Sequence, residues 1–141
     1  METIAKTAIT LNAIVRAPVE KVWTFWTEPQ HITKWNQASE DWHTPYADND
    51  LRVGGKFKST MAAKDGSFSF DFEGVYTKVE HHKVIEYTTG DGRKVSVKFS
   101  GNGNETGITS TFEAETTNPI EVQRDGWQAI LNSFKKYTEA N

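Results

Sequence analysis

The chain contains no cysteine, which excludes disulfides, thiol nucleophiles, Cys-ligated zinc, iron–sulfur clusters and the CxxC redox motif. An intracellular, reducing compartment fits that absence. Long apolar runs are missing too. The N-terminal stretch METIAKTAITLNAIVRAP alternates apolar and polar residues, and no later stretch approaches the roughly eighteen apolar residues needed to span a bilayer. Membrane insertion is therefore not expected, and with no targeting segment visible the expected location is cytoplasmic. Nor is there an excess of positive charge. Lys plus Arg is 16 against 19 for Asp plus Glu, a net charge of −3, with both signs scattered along the length, so nucleic acid is not an expected partner. Aromatic side chains, by contrast, are plentiful. Five Trp, four Tyr and eight Phe within a hydrophobic content of 36% put the apolar mass into a few large side chains. At 141 residues one domain over residues 1–141 is expected, large enough to bury a core without covalent staples.

Periodicity divides the chain. Ile9, Leu11, Ala13 and Val15 share one parity against Thr10, Asn12 and Arg16, the alternation of a half-buried strand. Pro18 then suits a helix start, and Val19, Val22, Trp23 and Trp26 form one apolar stripe. Pro29 opens a second short helix to Trp35, with Ile32 and Trp35 on one side. Residues 36–50 are polar and turn-rich but carry Trp42, His43, Pro45 and Tyr46, which predicts a lid or binding loop. From Leu51 to Thr116 the pattern is a run of antiparallel strands. Phe57, Ser59 and Met61 share a face; so do Phe68, Phe70 and Phe72; so do Val95, Val97 and Phe99; and so do Ile108, Ser110, Phe112 and Ala114. Turns are expected at Asp65-Gly66, at the His81-His82-Lys83 corner before Ile85 and Tyr87, at Asp91-Gly92 and at Gly101–Asn104, with a bulge at Gly74. The period then changes: Trp127, Ile130, Leu131, Phe134 and Tyr137 give the stripe of a long helix from about Ile120 to Tyr137.

This order implies an α+β fold: a curved antiparallel sheet of about seven strands, two short helices after strand one, and a long C-terminal helix laid across the sheet. Strands apolar on one face need a cover, and the terminal helix has the matching stripe. The space between them is the candidate site.

The same order, with Ala17-Pro18-Val19-Glu20-Lys21-Val22-Trp23 opening the first helix, resembles the START-like helix-grip (SRPBCC) superfamily. Asp50-Leu51-Arg52-Val53-Gly54-Gly55-Lys56-Phe57 and Gly126-Trp127 are similar to the branch named for the activator of the ninety-kilodalton heat-shock chaperone's ATPase. These motifs are architectural: Pro18 starts a helix, Gly54-Gly55 bends a strand and Trp127 packs against the sheet. The resemblance implies a hydrophobic cavity between helix and sheet, in a superfamily whose members bind lipids, sterols or polyketides, cyclise polyketides, or assist chaperones. Fold-level analogy does not choose among these.

Few residues carry chemistry. His43, flanked by Glu40, Asp41 and Trp42, is either a base at the cavity mouth or a solvated loop histidine. His81 and His82 are adjacent in an extended segment, are expected to point apart, and read as an exposed turn. His31 and Trp35, at i and i+4, are expected to pack on each other. Asp71 and Glu73 share a strand face at a separation loosely like that of a glycosidase carboxylate pair, yet their parity is opposite to the phenylalanines, which places them outside. Glu113 and Glu115 fail in the same way. Residues 101–107 have Thr106 where a phosphate-binding GxGxxG needs glycine, and no GxSxG, HExxH or Walker motif occurs. No cofactor and no metal is expected. Arg93 shares the parity of Val95, Val97 and Phe99, so it either snorkels, pairs with a carboxylate, or offers two donors to a ligand.

The leading expectation is therefore binding of a small hydrophobic or amphipathic molecule, lipid or polyketide-like. Phe57, Phe70, Phe72, Tyr87, Val97 and Phe112 would form the sheet wall with Trp127 opposite, and Trp42, His43 and Arg93 the mouth. Ser59, Ser110 and Tyr87 have inward parity and would supply hydroxyls. One alternative is a cyclase or hydrolase, with His43 carrying the proton and Arg93 stabilising an enolate. The other is a chaperone accessory protein, in which the outer surface matters. A homodimer and a chaperone partner stay open.

Overall fold

A computed structural model describes residues 7–141. Strand β1 (Ala8–Val15) leads into helices α1 (Val19–Thr27) and α2 (Pro29–Trp35). Strands β2 (Trp42–Asn49), β3 (Lys56–Ala63), β4 (Ser69–Glu80), β5 (Val84–Thr89), β6 (Lys94–Asn102) and β7 (Glu105–Glu113) follow, and α3 (Ile120–Ala140) ends the chain. The strands form one seven-stranded antiparallel sheet in the order β1-β7-β6-β5-β4-β3-β2, curled into a half-barrel around α3. This is the α+β arrangement of sheet and covering helix that the alternation implies, and the helix-grip fold that the resemblance implies.

Parity decides what faces the helix. In β1, Ile9, Leu11 and Val15 are buried while Thr10, Asn12 and Ile14 are exposed. In β6 and β7 the buried set is Val95, Val97, Phe99, Thr106, Ile108, Ser110 and Phe112. Against them α3 presents Leu131 and Phe134, 3% and 0% exposed. Phe134 is clasped edge-on by Trp26 of α1 and Trp35 of α2, with ring centroids 4.8 and 4.9 Å away. The short helices thus close one end of the groove.

Six local expectations are corrected. Residues 36–50 are not one loop, because Trp42–Asn49 forms the edge strand β2, paired with β3. Its register shifts between His43 and Tyr46, where Pro45 has no N–H to give the ladder, so the alternation that would have betrayed a strand is broken. No register shift falls at Gly74, which pairs regularly with Phe57 and Thr89; the shift in β4 lies between Tyr76 and Lys78. Gly74 serves close approach instead, since a Cβ there would lie 2.6 Å from the Phe57 ring and 2.8 Å from the Thr88 carbonyl oxygen. Gly54-Gly55 sits in the turn before β3 and not in a strand, and its backbone exchanges hydrogen bonds of 2.9 Å with Tyr76.

The remaining corrections concern side chains. Of the three phenylalanines entering β4, Phe72 alone reaches the helix, at Trp127, 6.0 Å between centroids. Phe68 and Phe70 are 60% and 44% exposed and pack on Trp42. The cause is length: β5 ends at Thr89 opposite Gly74, so the β3–β4 hairpin runs on past β5 with β2 alone beside it. His31 and Trp35 do not pair. His31 stacks on Phe25 at 4.0 Å and shares a 2.8 Å hydrogen bond with the Tyr137 hydroxyl, whereas the Trp35 indole N–H donates to the Phe25 carbonyl. His81 and His82 do not point apart either: with His82 in the left-handed region (φ 64°), the two rings lie 3.7 Å apart against Trp23. Asp71 and Glu73 are exposed, as their parity requires.

Candidate functional site

The curvature of the sheet leaves a cavity of about 540 Å³ between its concave face and α3. Each strand contributes its inward parity: Phe57, Ser59 and Met61 from β3, Phe70, Phe72 and Tyr76 from β4, Ile85 and Tyr87 from β5. Val97, Ser110 and Leu11 come from β6, β7 and β1. The helix supplies Gly126, Trp127 and Ile130, while Trp26, Ile32 and Trp35 form the inner end. Trp127 organises the roof. Its ring stacks on Phe112 at 4.0 Å and 9°, and meets Phe72 nearly edge-on. Tyr87 in turn stands edge-on to Phe57 at 4.7 Å.

The polar groups fall into three sets. On the β2 side, the Tyr76 hydroxyl donates to Asn49 Oδ1, and Asn49 Nδ2 donates to the Thr27 carbonyl at 2.6 Å, a closed chain tying β4 to the edge strand and α1. Burial pushes the Tyr76 and Tyr87 phenols well above their ordinary pKa, so both are neutral donors at any physiological pH. Under the first turn of α3, Gln123 accepts from the Glu115 N–H at 2.8 Å and donates to the carbonyls of Glu115 and Asn118 at 3.1 and 2.8 Å. Gln123 is 7% exposed, so these bonds lock the β7–α3 connection against the cavity. Gln123→Leu keeps the bulk but orphans three backbone groups, and urea unfolding is expected to show a loss of about 1–3 kcal/mol. A loss below about 0.5 kcal/mol would mean that the connection is held by other contacts.

The third set is at the mouth. Arg93 precedes β6, and its side chain is 17% exposed. Its Nε donates to Asp91 Oδ2 at 2.9 Å, and Nη1 donates to the Glu113 carbonyl at 3.4 Å. A hydrogen bond from Thr89, and then that of Arg93, holds the Asp91 carboxyl below the usual carboxylate range. Of the uses open to Arg93, carboxylate pairing is the one the side chain adopts. Trp42, Phe70 and Val122 complete an apolar lip, with Phe70 and Val122 at 44% and 57% exposure.

The structure brings together around one space Trp42, Phe57, Phe70, Phe72, Tyr87, Arg93, Val97 and Trp127, with Ser59 and Ser110. It leaves two candidates outside. His43 is exposed and not part of the cavity wall, because successive residues of β2 face opposite ways and Trp42 takes the inward position. Phe112, 0% exposed, lies behind Trp127 as its stacking platform rather than at the cavity surface. Sequence reasoning passed over Tyr76, Asn49 and Gln123. The parity of Phe72 and Gly74 already carries Tyr76 inward, whereas Asn49 lies on β2, whose alternation is interrupted at Pro45.

Among the described residues no group of His, Asp and Glu is placed to hold a metal ion, and no helix is long and apolar enough to cross a membrane.

Comparison with known proteins agrees with the architecture. The solution structure of an AHSA1-like protein from Aeromonas hydrophila is 44% identical, with a TM-score of 0.90 over 95% of this chain and 93% of that one. The solution structure of a protein from Cytophaga hutchinsonii is 59% identical, with a TM-score of 0.81 over 94% and 92%. A crystal structure from Chromobacterium violaceum, at 22% identity and a TM-score of 0.83 over 96% and 99%, shares the fold. No curated protein matches the chain. The model of the family described as "Activator of Hsp90 ATPase homolog 1-like protein" matches residues 16–139, nearly the whole length that the helix-grip elements occupy, and the chain belongs to that family.

Proposed function

We propose that this protein binds a small hydrophobic or amphipathic molecule in the space between the sheet and α3. The observation that carries the reading is the cavity itself: about 540 Å³, within the 300–1,000 Å³ or so of ordinary ligand sites, walled by aromatics with a few polar groups. A packed core tolerates few voids larger than a water molecule. The fold here keeps one large enough for a ligand of drug size. The cyclase or hydrolase alternative depends on His43 as proton carrier, and an exposed side chain on the outer face of β2 cannot reach a molecule held inside.

Nile red, a neutral dye whose emission rises and shifts to the blue in apolar surroundings, tests the reading. Titration into the full chain is expected to give saturable, one-to-one uptake with a Kd in the micromolar range, about −8 kcal/mol. Emission that stays unshifted, or rises without saturating, would overturn it.

A further inference from the structure

The cavity floor holds hydroxyls that the fold does not use. Ser59 on β3, Tyr87 on β5 and Ser110 on β7 all line the cavity, and none of their side-chain oxygens has a hydrogen-bond partner among the described residues. Ser59 and Ser110 are each 6% exposed. They are not among the sealed, orphaned polar atoms; they face the cavity, so their bonds go to whatever fills it, water or a ligand, and a ligand that displaces that water must return them. The contrast with Tyr76, whose hydroxyl is satisfied by Asn49, marks the three as set apart.

Their spacing bears on what the occupant is. Ser110 stands opposite Val97, and Tyr87 opposite Val95, so the two are rooted two strands and one pleat apart, about 10 Å or more. Ser59 is paired with Phe72 on the far side of β4. One headgroup cannot reach all three; a molecule with oxygens at separate points along its length can.

Charge narrows the class further. The charged residues on the cavity wall are Asp48, Arg93 and Glu115, and Arg93 is ion-paired with Asp91. An anion entering the mouth thus meets more carboxylate than guanidinium, and inside finds only neutral donors, the Tyr87 phenol being kept protonated by burial. A hydroxyl or carbonyl oxygen needs no counter-ion there, whereas a buried carboxylate does.

We propose that the cavity selects a neutral, hydrophobic molecule bearing two or more hydroxyl or carbonyl oxygens, that Ser59, Tyr87 and Ser110 are its specificity-determining contacts, and that carboxylates are excluded. This rests on the ligand-binding reading above.

Displacement of Nile red from the full chain at neutral pH by naphthalene, a naphthalenediol and a naphthalenedicarboxylate provides the test. The diol, though less apolar, is expected to displace the dye at about tenfold lower concentration than naphthalene, and the dicarboxylate to be the weakest. Tyr87→Phe and Ser110→Ala remove hydroxyls that hold nothing in the fold. At least one should weaken the diol by about three- to tenfold while leaving naphthalene within about twofold. Dye uptake with no preference for the diol, or a preference that survives both variants, overturns the hydroxyl assignment and leaves the cavity standing. Tightest binding by the dicarboxylate overturns the exclusion of anions. Failure of Nile red itself to bind overturns the ligand-binding reading, and this proposal with it.

Discussion

Replacing Phe134 with alanine is expected to destabilise the protein by about 3–5 kcal/mol, a large part of the roughly 5–15 kcal/mol that holds a typical domain together. The ring is 0% exposed and is touched edge-on by Trp26 and Trp35. Two large rings on separate short helices cannot collapse together into the vacated space. Trp35 is tied by its indole N–H to the Phe25 carbonyl, and Trp26 is held at Phe99. A cavity that stays open costs the transfer term and the void term together. Urea unfolding of Phe134→Ala should therefore give a lower midpoint with an unchanged slope. A loss under about 1 kcal/mol would mean that α3 is not the main cover of the sheet.

That test probes the level of structure most legible in the sequence. The i, i+3, i+4, i+7 stripe from Trp127 to Phe134 and the parity of β1, β6 and β7 are long, regular signals, and each matches what one buried face demands. Legibility fails where the local rule is interrupted. Pro45 and the register shift beside it hide β2. The overshoot of the β3–β4 hairpin puts Phe68 and Phe70 on the correct face but beyond the helix that face is meant to meet. Parity tells which side of a sheet a residue is on, not whether anything lies opposite it.

The site follows the same division. Inward alternation finds Phe57, Phe72, Tyr87 and Val97, because a wall is a property of strands. What a side chain is already bonded to is a property of the whole fold, so the sequence could offer Arg93 as a ligand anchor but could not show Asp91 occupying it. Likewise nothing local separates the Tyr76 hydroxyl, which is satisfied, from those of Ser59 and Ser110, which are not. The partner of Tyr76 is Asn49, 27 residues earlier in the chain.

Gly126 gives the second large effect, and it separates cavity from core. A glycine within a helix costs about 1 kcal/mol relative to alanine, and Gly126 stands inside α3, next to Trp127 and on the cavity wall. No contact demands it, since a Cβ there would meet nothing within 4 Å. What its missing side chain supplies is open space under the helix. Gly126→Ala should therefore raise stability by about 0.5–1 kcal/mol and leave Nile red uptake nearly unchanged. Gly126→Phe directs a ring into the cavity. It should keep or raise the thermal midpoint, through helix propensity and the apolar area it covers, while weakening dye uptake by more than about tenfold, above 1.4 kcal/mol. In a molecule whose interior is simply packed core, the same ring would overpack it and cost about 1–3 kcal/mol. Stability and binding are thus expected to move in opposite directions. A phenylalanine variant that unfolds early, or one that takes up Nile red as well as the parent does, would show that the space beside Gly126 is not where the ligand lies.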